Sequence, residues 1–159
     1  MSSRRLMPAA VVLAAALGWG AVASADLSQP VISAFKGDLV ITKGDLPEGK
    51  SEKDTIAKIK SERLKELTGE PREDVTYWHF HYTAFLTKVG ASSLKMEFVT
   101  SDKKLAADNR LDGVDPKSTV LSGDISINED EGLSKGKTYT IRLVTDKNAV
   151  VASTTLTMK

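Results

Sequence analysis

From Val75 to Leu86 the chain keeps a period of two. Thr76, Trp78, Phe80, Tyr82, Ala84 and Leu86 point one way; Val75, Tyr77, His79, His81, Thr83 and Phe85 point the other. Successive side chains on a strand alternate between faces, so this run predicts one long strand with an apolar inner face and a mixed outer one. Such a strand needs partners, and the sequence offers them. Leu94, Met96 and Phe98 alternate with Lys95, Glu97 and Val99. Further alternation runs through Thr119, Leu121, Gly123, Ile125 and Ile127, through Tyr139, Ile141 and Leu143, and through Val150, Ala152, Thr154, Leu156 and Met158. Residues 31–35 and 38–42 read as short strands, and 104–111 as an edge strand. Val89-Gly90-Ala91-Ser92 reads as a hairpin turn joining the long strand to its return strand, which places Glu97 near Thr83. Asp146-Lys147-Asn148 reads as a second hairpin loop. About seven strands at this spacing imply a sandwich or a barrel.

One segment breaks the strand pattern. Ser51 with Asp54 makes a capping-type start, Glu52 lies in the first turn, and Gly69 with Pro71 marks a stop. Ile56, Ile59, Leu64 and Leu67 share a face at helical spacing, so a helix is expected over about residues 52–68.

Leu133-Ser134-Lys135-Gly136-Lys137-Thr138-Tyr139-Thr140-Ile141 has the form Leu-x-x-Gly-x-x-Tyr-x-Ile. It resembles the tyrosine corner of fibronectin type III and related immunoglobulin-like domains, and Trp78 is similar to the core tryptophan of an early strand in them. The resemblance runs from about Val75 to Met158. It implies that Leu133 plugs one end of the core, that Gly136 permits the turn, and that the Tyr139 hydroxyl bonds to backbone upstream. The expected fold is therefore all-β: an immunoglobulin-like or fibronectin type III-like sandwich of about seven strands with one helical insertion. The superfamily hosts many unrelated functions, so the resemblance concerns architecture.

The N-terminus points to a compartment. Arg4 and Arg5 precede an apolar run from Ala9 to Trp19, and Ala23-Ser24-Ala25 ends in the small-x-small pattern of a signal-peptidase site. Residues 1–25 read as a secretory signal peptide of bacterial style with cleavage before Asp26, and residues 26–159 as one β-sandwich domain. The apolar run is too short for a membrane span. The product is expected in the periplasm or outside the cell. The leader carries two arginines and no acid out of 22 Lys+Arg and 21 Asp+Glu, which leaves a nearly neutral chain. Nothing in that balance favours nucleic acid. The chain has no cysteine, so disulfides, thiol catalysis and thiolate metal sites are excluded.

Candidate chemistry is sparse. His79-x-His81 places two imidazoles on one strand face, a pair that binds zinc or copper once a third ligand arrives. Glu97 is the nearest expected carboxylate, and Lys95 beside it opposes a cation. The bland alternative leaves both histidines on a solvent-facing strand. Tyr77, His79, His81, Phe85 and Val99 would form an aromatic patch unless the helix covers part of it. Asn128-Glu129-Asp130-Glu131-Gly132 lacks calcium-loop spacing. Glu70, Glu73 and Asp74 read as a polar lead-in to the long strand, and no catalytic motif is present. The reading is an exported, non-catalytic binding or interaction module with a protein or glycan partner, no cofactor and no membrane span, expected as a monomer. The alternatives are a small metal-binding protein using His79 and His81, and an enzyme without a recognisable motif.

Overall fold

The structure, a computed structural model, describes residues 22–23, 27–88 and 90–159. The expected leader, apart from Val22 and Ala23, and Val89 of the expected turn lie outside the described residues. In chain order the elements are β1 (Val22–Ala23), α1 (Gln29–Ala34), β2 (Leu39–Thr42), α2 (Glu52–Glu62), β3 (Glu66–Leu67), β4 (Glu70–Arg72), β5 (Val75–Phe85), β6 (Leu94–Val99), β7 (Leu105–Leu111), β8 (Val120–Asn128), a 3-10 turn (Glu129–Glu131), β9 (Thr138–Val144) and β10 (Val150–Met158). The fold is mostly β, in two five-stranded sheets. The first runs β1-β8-β5-β2, with β4 also paired to β5; the second runs β3-β10-β9-β6-β7. Within the sheets, among the described residues, only β3 and β10 pair in parallel.

The period of two sorts β5 as its sequence implies. Trp78, Phe80, Tyr82 and Ala84 bury against Met96, Phe98, Ile141, Leu143 and Leu156 of the other sheet, giving a two-layer, sandwich-like core. Each large side chain buried in this way contributes about 1.5–3 kcal/mol. The corner closes one end of that core. Tyr139 is buried, its phenol oxygen accepts the Ser134 N–H at 2.8 Å, and Leu133 is buried beside it. Gly136 turns the chain at φ +84°, where a residue with a Cβ is strained. Trp78 donates its indole N–H to the backbone oxygen of Lys159 at 3.1 Å, and the N–H of Gly69 donates to the same oxygen at 2.6 Å. A Cβ on Gly69 would crowd Thr76 Cγ2 and lie 2.8 Å from Trp78 Nε1, so any larger residue there forces these side chains to shift.

Three local expectations need correction. Residues 31–34 form part of a helix capped by Phe35, not a strand: Pro30 suits a helix's first turn, and the i, i+4 pair Val31 and Phe35 turns one face onto Val40, Phe85, Val120 and Ile59. There are thus two α-helices, not one, among the described residues. The helix expected over 52–68 ends at Glu62, with Arg63 already extended at ψ 134°. Leu64 donates its N–H to Ile41 O at 2.7 Å, and Leu67 enters β3 beside β10. Ile56 and Ile59 serve the cluster under the helices, whereas Leu64 and Leu67 serve the core between the sheets. Finally, β5 and β6 do not form a hairpin. The chain crosses from one sheet to the other between them, held by Leu86 N to Thr119 O at 2.8 Å and Thr87 N to Val151 O at 3.0 Å. Burial of both Leu86 and Leu94 between the layers favours that crossing.

Candidate functional site

The outer face of β5 is divided along its length. Phe85 is fully buried beneath α1 and α2, Thr83 is buried, His81 is 8% exposed, and His79 is exposed. The helices therefore cover only one end of the expected aromatic patch. Tyr77 and His79 stay at the open end, their rings 6.5 Å apart and nearly parallel, with the Arg72 guanidinium 5.5 Å from the Tyr77 centroid. Val99 belongs to the other sheet and is no part of this face.

His81 corrects the expectation that both histidines face solvent. Its register partners are Thr42 on β2 and Asp124 on β8. Its Nδ1 lies 3.0 Å from Asp124 Oδ1, and the Asp124 carboxylate itself stands largely in solvent. Beyond Thr42 the chain turns, with the Thr42 hydroxyl donating to Gly44 O at 2.5 Å. The following loop is tied to the start of α2. Gly49 N donates to Thr55 Oγ1 at 2.9 Å, Lys50 N to Asp54 Oδ2 at 2.8 Å, and Lys58 Nζ to Glu48 O at 3.1 Å. Ser51 caps the helix by accepting from Asp54 N at 3.2 Å.

This loop stands beside the β5 face and leaves a cleft of about 270 Å³ lined by Leu27, Asp45, Leu46, Glu48, His81, Thr83 and Ser122. Among the described residues the lining holds two carboxylates and no Lys or Arg. A second cleft of about 400 Å³ shares Leu27 and Glu48 and adds Ser28, Val31, Gly49, Ser51, Glu52 and Thr55. The Ser28 hydroxyl is buried without a hydrogen-bond partner among the described residues. The two clefts together offer carboxylates, hydroxyls, one imidazole and short apolar walls.

The remaining candidates are placed elsewhere. Glu97, expected near Thr83, lies in the other sheet, where Arg142 Nε and Nη2 both approach its Oε2 at 2.7 Å. Lys95 pairs with Asp108 at 3.6 Å rather than standing by the histidines. Among the described residues no group of three or more His, Asp or Glu is arranged to hold a metal ion. The acidic loop is a capped 3-10 turn: Asn128 Oδ1 accepts from Asp130 N at 2.9 Å, and Glu131 Oε2 accepts from Asn128 N at 2.8 Å. Glu129 accepts the Thr76 N–H at 2.8 Å, and that hydrogen bond holds its carboxyl below the usual range. Glu70 pairs with Arg72 at 3.3 Å. Sequence reasoning missed Asp124, Asp45 and Glu48. Asp124 was visible as an outward position in the β8 alternation, but only the β5–β8 register sets it against His81. A comparison with protein-family models finds none that matches the chain, and a comparison with curated proteins finds no match either.

Proposed function

We propose that this chain is an exported, non-catalytic binding module of immunoglobulin-like or fibronectin type III-like architecture, with its ligand site in the cleft over His81. The strand order supports the architecture. Of the seven longer strands, β2, β5 and β8 face β10, β9, β6 and β7, the tyrosine corner precedes the last hairpin, and the buried tryptophan lies on the second strand.

The observation that carries the site is His81 itself. It is a nearly buried imidazole that lines a concave space and is held by a carboxylate on the neighbouring strand. Binding sites combine apolar walls with a few fixed polar groups. Here Leu27 and Leu46 supply walls, Thr83 and His81 supply hydrogen bonding, and Asp45 and Glu48 supply negative charge. An ammonium or guanidinium group on an apolar stem fits that lining, which makes a lysine- or arginine-bearing partner protein the expected ligand.

The test is a titration with a short oligolysine peptide, followed through the His81 ring resonances by NMR. The peptide is expected to shift them, an oligoglutamate peptide is not, and Asp45→Asn with Glu48→Gln is expected to abolish the response. An oligolysine titration that leaves His81 unmoved while shifting residues elsewhere would remove this cleft as the site.

A further inference from the structure

A third cleft lies at the C-terminal end of α2, where the helix gives way to β3 alongside β10. It measures about 620 Å³ and is lined by Lys60, Arg63, Leu64, Lys65, Glu66 and three threonines of β10. Its charge is opposite to that of the cleft over His81. Glu66 is already bound to Lys159 at 2.8 Å, and Arg63 reaches Asp38 at 3.1 Å. Lys60 and Lys65 have no ion-pair partner among the described residues, so the cleft carries surplus positive charge.

Next to it the outer face of β9 and β10 is a small hydroxyl grid. Thr138 stands opposite Thr157, and Thr140 opposite Thr155. The first pair is joined by a hydrogen bond of 2.8 Å between hydroxyls. Cross-strand neighbours lie about 4.5–5.5 Å apart, and outward positions along one strand about 6.5–7 Å apart. Thr155 and Thr157 belong to both the cleft and the grid, so cations and hydroxyls form one continuous surface.

We propose that this surface binds an acidic polysaccharide, with its carboxylate or sulfate groups against Lys60, Arg63 and Lys65 and its sugar hydroxyls along the threonine rows. Other anionic ligands fit less well. Among the described residues the lining has no aromatic side chain on which nucleic-acid bases stack. Leu64 is its one apolar side chain, too little for a lipid surface. The cleft, at about 620 Å³, is far larger than one phosphate needs and has room for several sugar units.

The test is calorimetric titration of the purified chain with polygalacturonate and with dextran sulfate, against neutral dextran. Binding to at least one acidic polymer, weakening as salt rises, is expected, and the two polymers separate carboxylate from sulfate recognition. Lys60→Glu with Lys65→Glu is expected to weaken it roughly tenfold or more. Thr140→Val with Thr155→Val is expected to weaken it several-fold at an unchanged melting temperature. Lys103→Glu with Lys104→Glu, beside β7 at the far edge of the same sheet, is expected to bind as the wild type does. The proposal is overturned if neither polymer binds, if the cleft variants bind normally, or if the far-edge variant loses binding equally. It is also overturned if oligothymidylate or phosphatidylglycerol vesicles bind as tightly as the polysaccharide.

Discussion

The backbone N–H of Ser134 donates to the phenol oxygen of Tyr139 over 2.8 Å. Tyr139 is 1% exposed, so water cannot readily replace this bond from the phenol side. Tyr139→Phe is expected to cost about 1–2 kcal/mol through the lost hydrogen bond. Tyr139→Ala is expected to cost about 3–5 kcal/mol, because a cavity is added. Denaturant unfolding of the three proteins measures both steps, and an unchanged midpoint in Tyr139→Ala would refute the corner.

Tyr82 is the opposite case. Its hydroxyl is buried in the core with no hydrogen-bond partner among the described residues. Tyr82→Phe is therefore expected to be neutral or stabilising by up to about 1 kcal/mol. Burial, with the Asp124 carboxylate second, pushes the Tyr82 phenol up to about 12. Because the folded value is the higher one, the unfolded chain loses this proton first. The stability contribution is whole below about pH 10 and is lost as pH rises through about 12. The wild type is expected to lose about 2–3 kcal/mol more than Tyr82→Phe across that window. Equal losses in the two proteins would contradict the burial of this hydroxyl.

Trp78 and Gly69 test the contacts at Lys159, at the same end of the core as the corner. Trp78 is fully buried, so its emission is expected to be blue-shifted and weakly quenched by acrylamide. Gly69→Ala puts a methyl group 2.8 Å from Trp78 Nε1, which is expected to cost about 1–3 kcal/mol and shift the emission to the red. A silent Gly69→Ala would mean that the indole and this turn are not in contact.

The two histidines are expected to part company. His79→Ala is expected to change stability by no more than about 0.5 kcal/mol, as exposed substitutions do. His81→Ala removes a nearly buried ring and its bond to Asp124, at an expected cost of about 1–2 kcal/mol. Zinc or copper is expected to leave the melting temperature of the wild type unchanged. Tight equimolar binding that disappears in both single variants would establish the metal reading instead.

Processing is testable separately. Mass spectrometry of the exported chain is expected to find its N-terminus at or within a few residues of Asp26. Retention of Met1 in exported protein would remove the argument for the compartment.

The sequence was most legible where burial enforces a period. Trp78, Phe80 and Tyr82 could be assigned inward because a one-residue slip would turn all three away from the core between the sheets. The corner was legible because Leu133, Gly136 and Tyr139 each do a separate job within one short turn. Pairing between strands was less legible. Glu97 was placed beside Thr83 because adjacent alternating runs usually make a hairpin, and nothing local records that the chain changes sheets at Leu86. The short helix α1 was read as a strand because a run of five residues does not separate a period of 3.6 from a period of two. The cleft over His81 draws on Leu27, Asp45, Glu48, Thr83 and Ser122, residues distant in sequence, and such a site has no linear signature.

The parallel contacts of β10 have a mechanical consequence. Ser153 bridges Asp38 in parallel, and Thr157 and Met158 pair in parallel with Glu66 and Leu67. Drawing residue 27 and residue 159 apart would therefore load these contacts lengthwise, several at once, rather than peel them open singly. Under tension this chain is expected to yield at the seam between its early segments and β10.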